Sequence, residues 1–264
     1  MIPFNKDFVP NSFGLVNNGS ICYFNSLLQS LLSCSSFNQL MLELNITFFK
    51  NLLLASSLSS GSDILNMIKQ KHVKETKHSL FGNSQEDVGE CFHLLIDSIP
   101  NSNNLFKCRY KKNIICKDCK FIQKLNQDTV YVIDIPVDEK TDLNSYIKEH
   151  NSELDNYRCI KCDSLNVHSK SSLCKLSSII VIQFNKYFEK KNINYSQFLE
   201  FDYIDGSKIK YQLLARIQHF GGRSSGHYTA DCMRKQIKNF NDSNVSEGNL
   251  LPTSNTYYLF YHLL

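Results

Sequence analysis

Two Cys-x-x-Cys pairs, Cys116-Lys117-Asp118-Cys119 and Cys159-Ile160-Lys161-Cys162, constrain this chain more than any other feature. A two-residue spacer lets both sulfurs of a pair face one point, so two pairs can supply four thiolates to one tetrahedral metal site. The 39 residues between Cys119 and Cys159 must then leave and return to the same place. That interval is longer than a usual zinc ribbon. It reads as holding a strand pair, which would put the two knuckles at neighbouring hairpin tips. Four sulfurs close the coordination sphere, so the expected ion is one structural Zn2+ rather than a catalytic one. The alternative is four ordinary buried cysteines. Cys108 lies close enough to stand in as a ligand, while Cys34, Cys91, Cys174 and Cys232 read as core or surface thiols.

The remaining organisation is plain. Residues 13 to about 100 read as helical. Asn18-Gly19 signals a turn, Ser20 reads as the N-cap of the next helix, and Leu27, Leu28, Leu31 and Leu32 recur at helical spacing. Asp63 could cap DILNMIKQKH. Ser84 reads as the N-cap of QEDVGECFHLLIDSI, in which Val88, Cys91, Phe92 and Leu95 share a face. From about residue 105 the pattern changes to strands. TVYVIDIPV alternates, with Val130, Val132, Ile133 and Ile135 as its apolar set, and the run Ile179 to Ile182 reads as a central buried strand. YQLLARIQHF, HYTADCM and TYYLFYHLL are further strands. Helices first and strands later give an α+β class.

Composition excludes more than it assigns. A net charge of +4 on 264 residues is well short of what phosphate-dominated binding needs, so no nucleic-acid partner is expected. No stretch is apolar enough to span a bilayer, and MIPFNKDFVPNSF lacks the core of a secretory leader. No membrane association is expected. Ten cysteines then point to metal or catalytic use in an intracellular protein, cytoplasmic or nuclear, rather than to disulfides.

Cys22 stands where a turn runs into a helix. Backbone N–H groups and the positive end of the dipole at such a site favour the thiolate, and the same N–H groups can donate to an oxyanion. A buried cysteine that merely opens a helix is the plainer reading of this stretch taken alone. Downstream, His227 follows a Gly/Ser loop at the start of a strand, and Asn241-Asp242 follows fourteen residues later. Cysteine, imidazole and an amide or carboxylate are the parts of a nucleophile, base and orienter set.

With these residues in view, the chain resembles the ubiquitin-specific proteases, papain-like deubiquitinating enzymes. Their cysteine box, roughly GLxNxGNTCYxNSxLQ, reads GLVNNGSICYFNSLLQ from Gly14 to Gln29. Their QQDAxEFLxxLLD element is similar to SQEDVGECFHLLID from Ser84 to Asp97, and the Cys-x-x-Cys pairs match the family's zinc-bearing fingers. Ile180 to Tyr187, Gly226 to Ala230, Phe240 to Ser243 and Tyr257 to Tyr261 match its later elements in order. Departures are Ser20-Ile21 before the cysteine, Cys91 at an aromatic position and the lack of a tryptophan ahead of Phe240.

The resemblance implies a single catalytic domain, 1–264, with a papain-like α+β fold: a helical thumb (1–104), a zinc-bearing β fingers region (105–178) and a β-sheet palm (179–264). It implies Cys22 as nucleophile, His227 as base, Asn241 as third member with Asp242 as alternative or helper, and Asn17 as side-chain donor to the oxyanion. Gln85, Asp87 and Gly226 would contact the substrate tail. The implied activity is hydrolysis after the C-terminal glycine of ubiquitin, with ubiquitin and its conjugates as partners and a monomeric chain. Competing readings are an inactive ubiquitin-binding scaffold, a protease for another ubiquitin-like modifier, and a zinc-ribbon nucleic-acid binder.

Overall fold

The computed structural model describes residues 9–76, 86–136, 142–185, 194–202, 208–222 and 226–264. The helices come first. All of α1 (Cys22–Leu31) is buried. Ser20 does not cap it: the N-cap position belongs to Ile21, which makes no side-chain cap bond, and the Ile21 N–H is instead accepted by Asn17 Oδ1 at 3.2 Å. The next apolar stretch is divided. α2 (Ser35–Glu43) ends before Asn45, which takes a left-handed φ of 56°, and α3 (Thr47–Leu53) follows. Asparagine tolerates that conformation where most residues do not. α4 (Ser62–Thr76) starts at Ser62, so Asp63 lies in its first turn rather than capping it. α5 (Val88–Ser98) is capped by Asp87, not by Ser84, which lies outside the described residues.

A short 3-10 turn, Ser102–Leu105, leads into β1 (Cys108–Cys116), β2 (Ile122–Val130) and β3 (Ile133–Pro136), then α6 (Leu143–Lys148), β4 (Glu149–Glu153) and β5 (Val167–Lys175). β6 (Ile179–Asn185), β7 (Phe198–Asp202), β8 (Lys208–Gly221), β9 (Gly226–Met233), β10 (Ile237–Asn241), β11 (Asn244–Glu247) and β12 (Thr256–Leu263) complete the order. They make two sheets. The smaller has four strands in the order β2-β1-β5-β4. The larger has eight, in the order β11-β10-β9-β8-β12-β6-β3, with β7 on β8. Among the strand pairs of the described residues, β3–β6 alone is parallel.

The stretch TVYVIDIPV is not one strand. Thr129 and Val130 end β2 in the small sheet, and Ile133–Pro136 crosses to the edge of the large one. Between Cys119 and Cys159 the chain therefore holds β2, β3, α6 and β4, more than the expected strand pair.

The large sheet separates two cores, which explains the continuous apolar run of β6. Ile179 and Val181 face the helices, where Phe24, Leu27, Leu28, Leu31, Phe92 and Phe260 pack. Ile180, Ile182 and Phe184 face the opposite side with Leu143, Ile147, Leu199 and Phe201. The far end of the small sheet has little more than Ile114, Cys116, Cys159 and Val167 as a core of its own. Among the described residues no helix is long and apolar enough to cross a membrane.

Candidate active site and metal group

α1 packs against β8, β9 and β10, so its N-terminus abuts the strand that begins with Gly226 and His227. Cys22 is buried, and the backbone N–H groups of Tyr228 and Tyr23 act on its sulfur, that of Tyr228 the more strongly. Tyr228 directly follows His227, so the sulfur lies against the strand that carries the imidazole. Burial nevertheless pushes the Cys22 thiol above its ordinary value, and the Asp242 charge adds to this against the pull of the N–H groups. The pull of the helix terminus expected from the sequence is present but opposed by burial. Loss of water around the sulfur outweighs the donors.

His227 Nε2 lies 2.6 Å from Asn241 Oδ1. An amide oxygen can only accept, so Nε2 carries the proton and Nδ1 is left with its lone pair. Asp242 is placed differently. It takes a left-handed φ of 51°, which turns its carboxylate toward the cysteine box. Oδ2 accepts from Asn17 Nδ2 at 2.9 Å, and Oδ1 accepts from Asn25 Nδ2 at 2.8 Å. Its carbonyl also accepts from Leu15 N–H at 2.9 Å. Gly14 permits this approach: a Cβ there would stand 2.2 Å from Ser243 O. Asn25 was not singled out in the sequence, although it lies on α1 one turn after Cys22, the spacing that brings two side chains to one face.

Asp87 caps α5 with one oxygen, accepting from Gly89 N–H at 2.7 Å and Glu90 N–H at 3.3 Å. The other oxygen accepts from Tyr257 Oη at 2.9 Å. Tyr257 belongs to a ring cluster with Tyr228 and His219, whose centroids lie 4.5–6.3 Å apart. This cluster was not foreseen either, because its members come from three strands whose register no local pattern fixes. Gly226 opens β9 opposite Gly221. Gln85 lies outside the described residues.

At the far end of the small sheet the two knuckles meet. Sγ of Cys116 and Cys162 are 3.6 Å apart, as are those of Cys119 and Cys159, and all four sulfurs lie within 4.8 Å of one another. A zinc–sulfur bond of about 2.3 Å in a tetrahedron requires edges of about 3.8 Å. The four cysteines therefore form a group that could hold one metal ion. The knuckles are built alike. Each closes with a left-handed residue, Lys120 at φ 59° and Asp163 at φ 58°. Asp118 clasps them, accepting from Asn166 Nδ2 at 2.8 Å and from Ser164 Oγ at 2.5 Å. Backbone N–H groups of Cys119 and Asp118 pull the Cys116 thiol down to about 7. Cys108 is not part of the group: it starts β1 and its sulfur meets Ser177 Oγ at 3.1 Å.

The sequence profile described as "Ubiquitin carboxyl-terminal hydrolase" matches residues 13–261. The chain belongs to the ubiquitin carboxyl-terminal hydrolase family. Ubiquitin carboxyl-terminal hydrolase 40 of Mus musculus is 28% identical over 282 residues, covering 86% of this chain and 22% of that protein. Ubiquitin carboxyl-terminal hydrolase 8 of Saccharomyces cerevisiae is 22% identical over 312 residues, covering 88% of this chain and 66% of that protein. The chain thus spans under a quarter of the length of the first relative, at 22%. Among solved structures, the SAGA Ubp8/Sgf11/Sus1/Sgf73 DUB module bound to ubiquitin aldehyde aligns with a TM-score of 0.75 at 21% identity, covering all of this chain and 72% of the other. The SAGA DUB module bound to monoubiquitin gives 0.73 at 22%, covering all of this chain and 71% of the other. The fold is that of hydrolase-family catalytic domains, a mixed α+β architecture with two sheets and a cysteine cluster.

Proposed function

We propose that this member of the family is a thiol-dependent deubiquitinase that cleaves the isopeptide or peptide bond after the C-terminal glycine of ubiquitin. The observation that carries the reading is the placing of the Cys22 sulfur against the Tyr228 N–H, one residue along β9 from a histidine whose Nε2 is engaged by Asn241. His227 Nδ1 takes the thiol proton, the sulfur attacks the glycine carbonyl, and the imidazolium gives the proton to the leaving amine. The side-chain amide nitrogen of Asn17, Nδ2, has two protons. One goes to Asp242, and the other, with the Cys22 N–H, is available to the oxyanion. The negative charge of Asp87 suits it to pairing with an arginine of the substrate tail, in competition with Tyr257 and Tyr228, which now donate to the carboxylate.

In this reading residues 1–104 act as thumb, 105–178 as fingers and 179–264 as palm, with β3 reaching across into the palm sheet. One Zn2+ held by Cys116, Cys119, Cys159 and Cys162 would replace the core that the fingertips lack. Ubiquitin conjugates are the partners, met in cytoplasm or nucleus. The test is release of fluorophore from a ubiquitin C-terminal conjugate. The wild-type chain should turn over and Cys22→Ala should not, while keeping its circular dichroism spectrum. Equal rates for the two would overturn the proposal.

A further inference from the structure

We propose that Arg234 is a positioning residue for catalysis: it fixes the angle at which the nucleophile helix α1 lies on the hairpin that carries His227 and Asn241. This rests on the reading of those residues given above. The three groups sit on two bodies. His227 and Asn241 belong to β9 and β10, and their contact is internal to that hairpin. Cys22 belongs to α1, so its alignment depends on how the helix sits against the strands.

At the end near Cys22 the hairpin is fastened by Asp242, through Asn17 and Asn25. A single fastening leaves a helix able to swing about it. Arg234, in the turn between β9 and β10, supplies the second. Its Nη2 donates to Gln29 O at 3.0 Å and to Gln29 Oε1 at 2.9 Å, and its Nη1 donates to Ser33 Oγ. The guanidinium lies 5.0 Å over the ring of Phe240, the residue before Asn241. Gln29 lies near the C-terminal end of α1, about 10 Å along the axis from Cys22. The hairpin thus grips both ends of the helix, and with the right signs. An acid meets the N-terminal end and a cation meets a carbonyl at the C-terminal end, each suited to the helix dipole.

Filling space does not explain the choice of residue. Arg234 is only 5% exposed, and its Nε has no partner. Among the described residues no carboxylate pairs with it. Its titratable neighbours are the thiols of Cys34 and Cys232, and burial pushes both up, Cys232 to about 11, so neither neutralises it. A buried charge without a counter-ion is unfavourable, and methionine would occupy the same volume without that cost. What the guanidinium adds is a rigid fork of donors that sets angle as well as distance.

The test uses Arg234→Lys and Ser33→Ala. Fold is followed by circular dichroism and thermal midpoint, kcat and KM on the fluorogenic ubiquitin substrate, and the pH dependence of Cys22 alkylation by iodoacetamide with mass-spectrometric site assignment. Lysine keeps the charge and loses the fork. A folded Arg234→Lys should keep KM, lose roughly ten- to a hundredfold in kcat, and need higher pH for Cys22 alkylation. Ser33→Ala should shift both in the same direction by less. A folded Arg234→Lys with wild-type kcat and a wild-type alkylation profile overturns the proposal. If the lysine variant does not fold, Ser33→Ala decides, and wild-type behaviour there overturns it equally. Alkylation needs no ubiquitin, so an inactive wild type would sink the deubiquitinase reading while leaving this measurement able to judge Arg234.

Discussion

Asp242 Oδ2 accepts a hydrogen bond from Asn17 Nδ2 at 2.9 Å, across 225 positions of sequence. The adjacent Asn241, not Asp242, meets His227. Two neighbouring residues therefore serve different members of the proposed site, the amide the imidazole and the carboxylate Asn17, the proposed oxyanion donor. Asp242→Ala should lower kcat by about 10²–10³, the usual effect of disturbing one oxyanion donor. It should raise the pH needed to alkylate Cys22 less than Arg234→Lys does, because losing the fastening to Asn17 and Asn25 is partly offset by removal of a charge that opposes the thiolate. Asn241→Ala should raise that pH. Steady-state kinetics and site-resolved alkylation on the two variants check this, and a fully active Asp242→Ala protein would contradict the division of labour.

The pH behaviour of the nucleophile follows from its burial. With its thiol held above the ordinary value, Cys22 gains thiolate character only by passing its proton to His227. In His227→Ala that acceptor is gone. Alkylation of Cys22 in this variant should begin only above the pH range of a free cysteine, whereas wild type should react at lower pH. The check is the rate of carboxamidomethylation at Cys22 measured across pH. A His227→Ala curve superimposed on wild type would mean that the sulfur is activated by the helix terminus after all.

The legible parts of this molecule were those fixed locally or by motif. The Cys-x-x-Cys spacing foretold convergence of four sulfurs, and the alternation and apolar runs of residues 179–185 and 256–263 foretold two neighbouring interior strands of the large sheet. Helix starts were less legible. Ser20 and Asp63 have the chemistry of caps, but Asn17 reaches the Ile21 N–H from four residues back, and α4 opens on Ser62. The splitting of TVYVIDIPV between two sheets has no local signal, since both halves alternate equally well. The burial that opposes the helix terminus at Cys22 has no signal in the sequence, whereas the terminus does.

The fingertips should depend on their metal. Among the described residues the buried cluster there is Ile114, Cys116, Cys159 and Val167, with half-buried Phe121, Leu154 and Tyr157 against it, a small core for two knuckles. We expect about one zinc per chain by atomic absorption. Cys116→Ser or a strong chelator should remove it and raise hydrogen exchange in β1, β2, β4 and β5 while leaving β6, β8 and β12 protected. Asp118→Asn, which weakens the clasp to Ser164 and Asn166, should lower zinc affinity by about 10–100-fold in a competition titration with a chromophoric chelator. A protein with full protection of the small sheet and no bound metal would refute this.

The large sheet contains a buried ion pair whose rupture should be costly. Arg216 is 1% and Asp231 2% exposed, and Arg216 Nη2 and Nε reach Asp231 Oδ2 at 2.5 and 3.2 Å. Gln218 Nε2 donates to the same oxygen at 2.8 Å, and Asn239 Nδ2 donates to Oδ1 at 3.0 Å. Arg216 also donates to the carbonyls of Asn249 and Leu251, tying the segment after β11 to β8. Asp231→Ala would leave a guanidinium and two amides buried without their acceptor. The expected loss is about 3–5 kcal/mol, or a thermal midpoint lower by roughly 6–20 °C. Replacing the pair together, Arg216→Met with Asp231→Leu, should recover part of that loss, because no charge is then stranded. Calorimetry on the three proteins decides it, and an Asp231→Ala midpoint within a degree of wild type would show that the guanidinium finds full compensation from the carbonyls of Asn249 and Leu251.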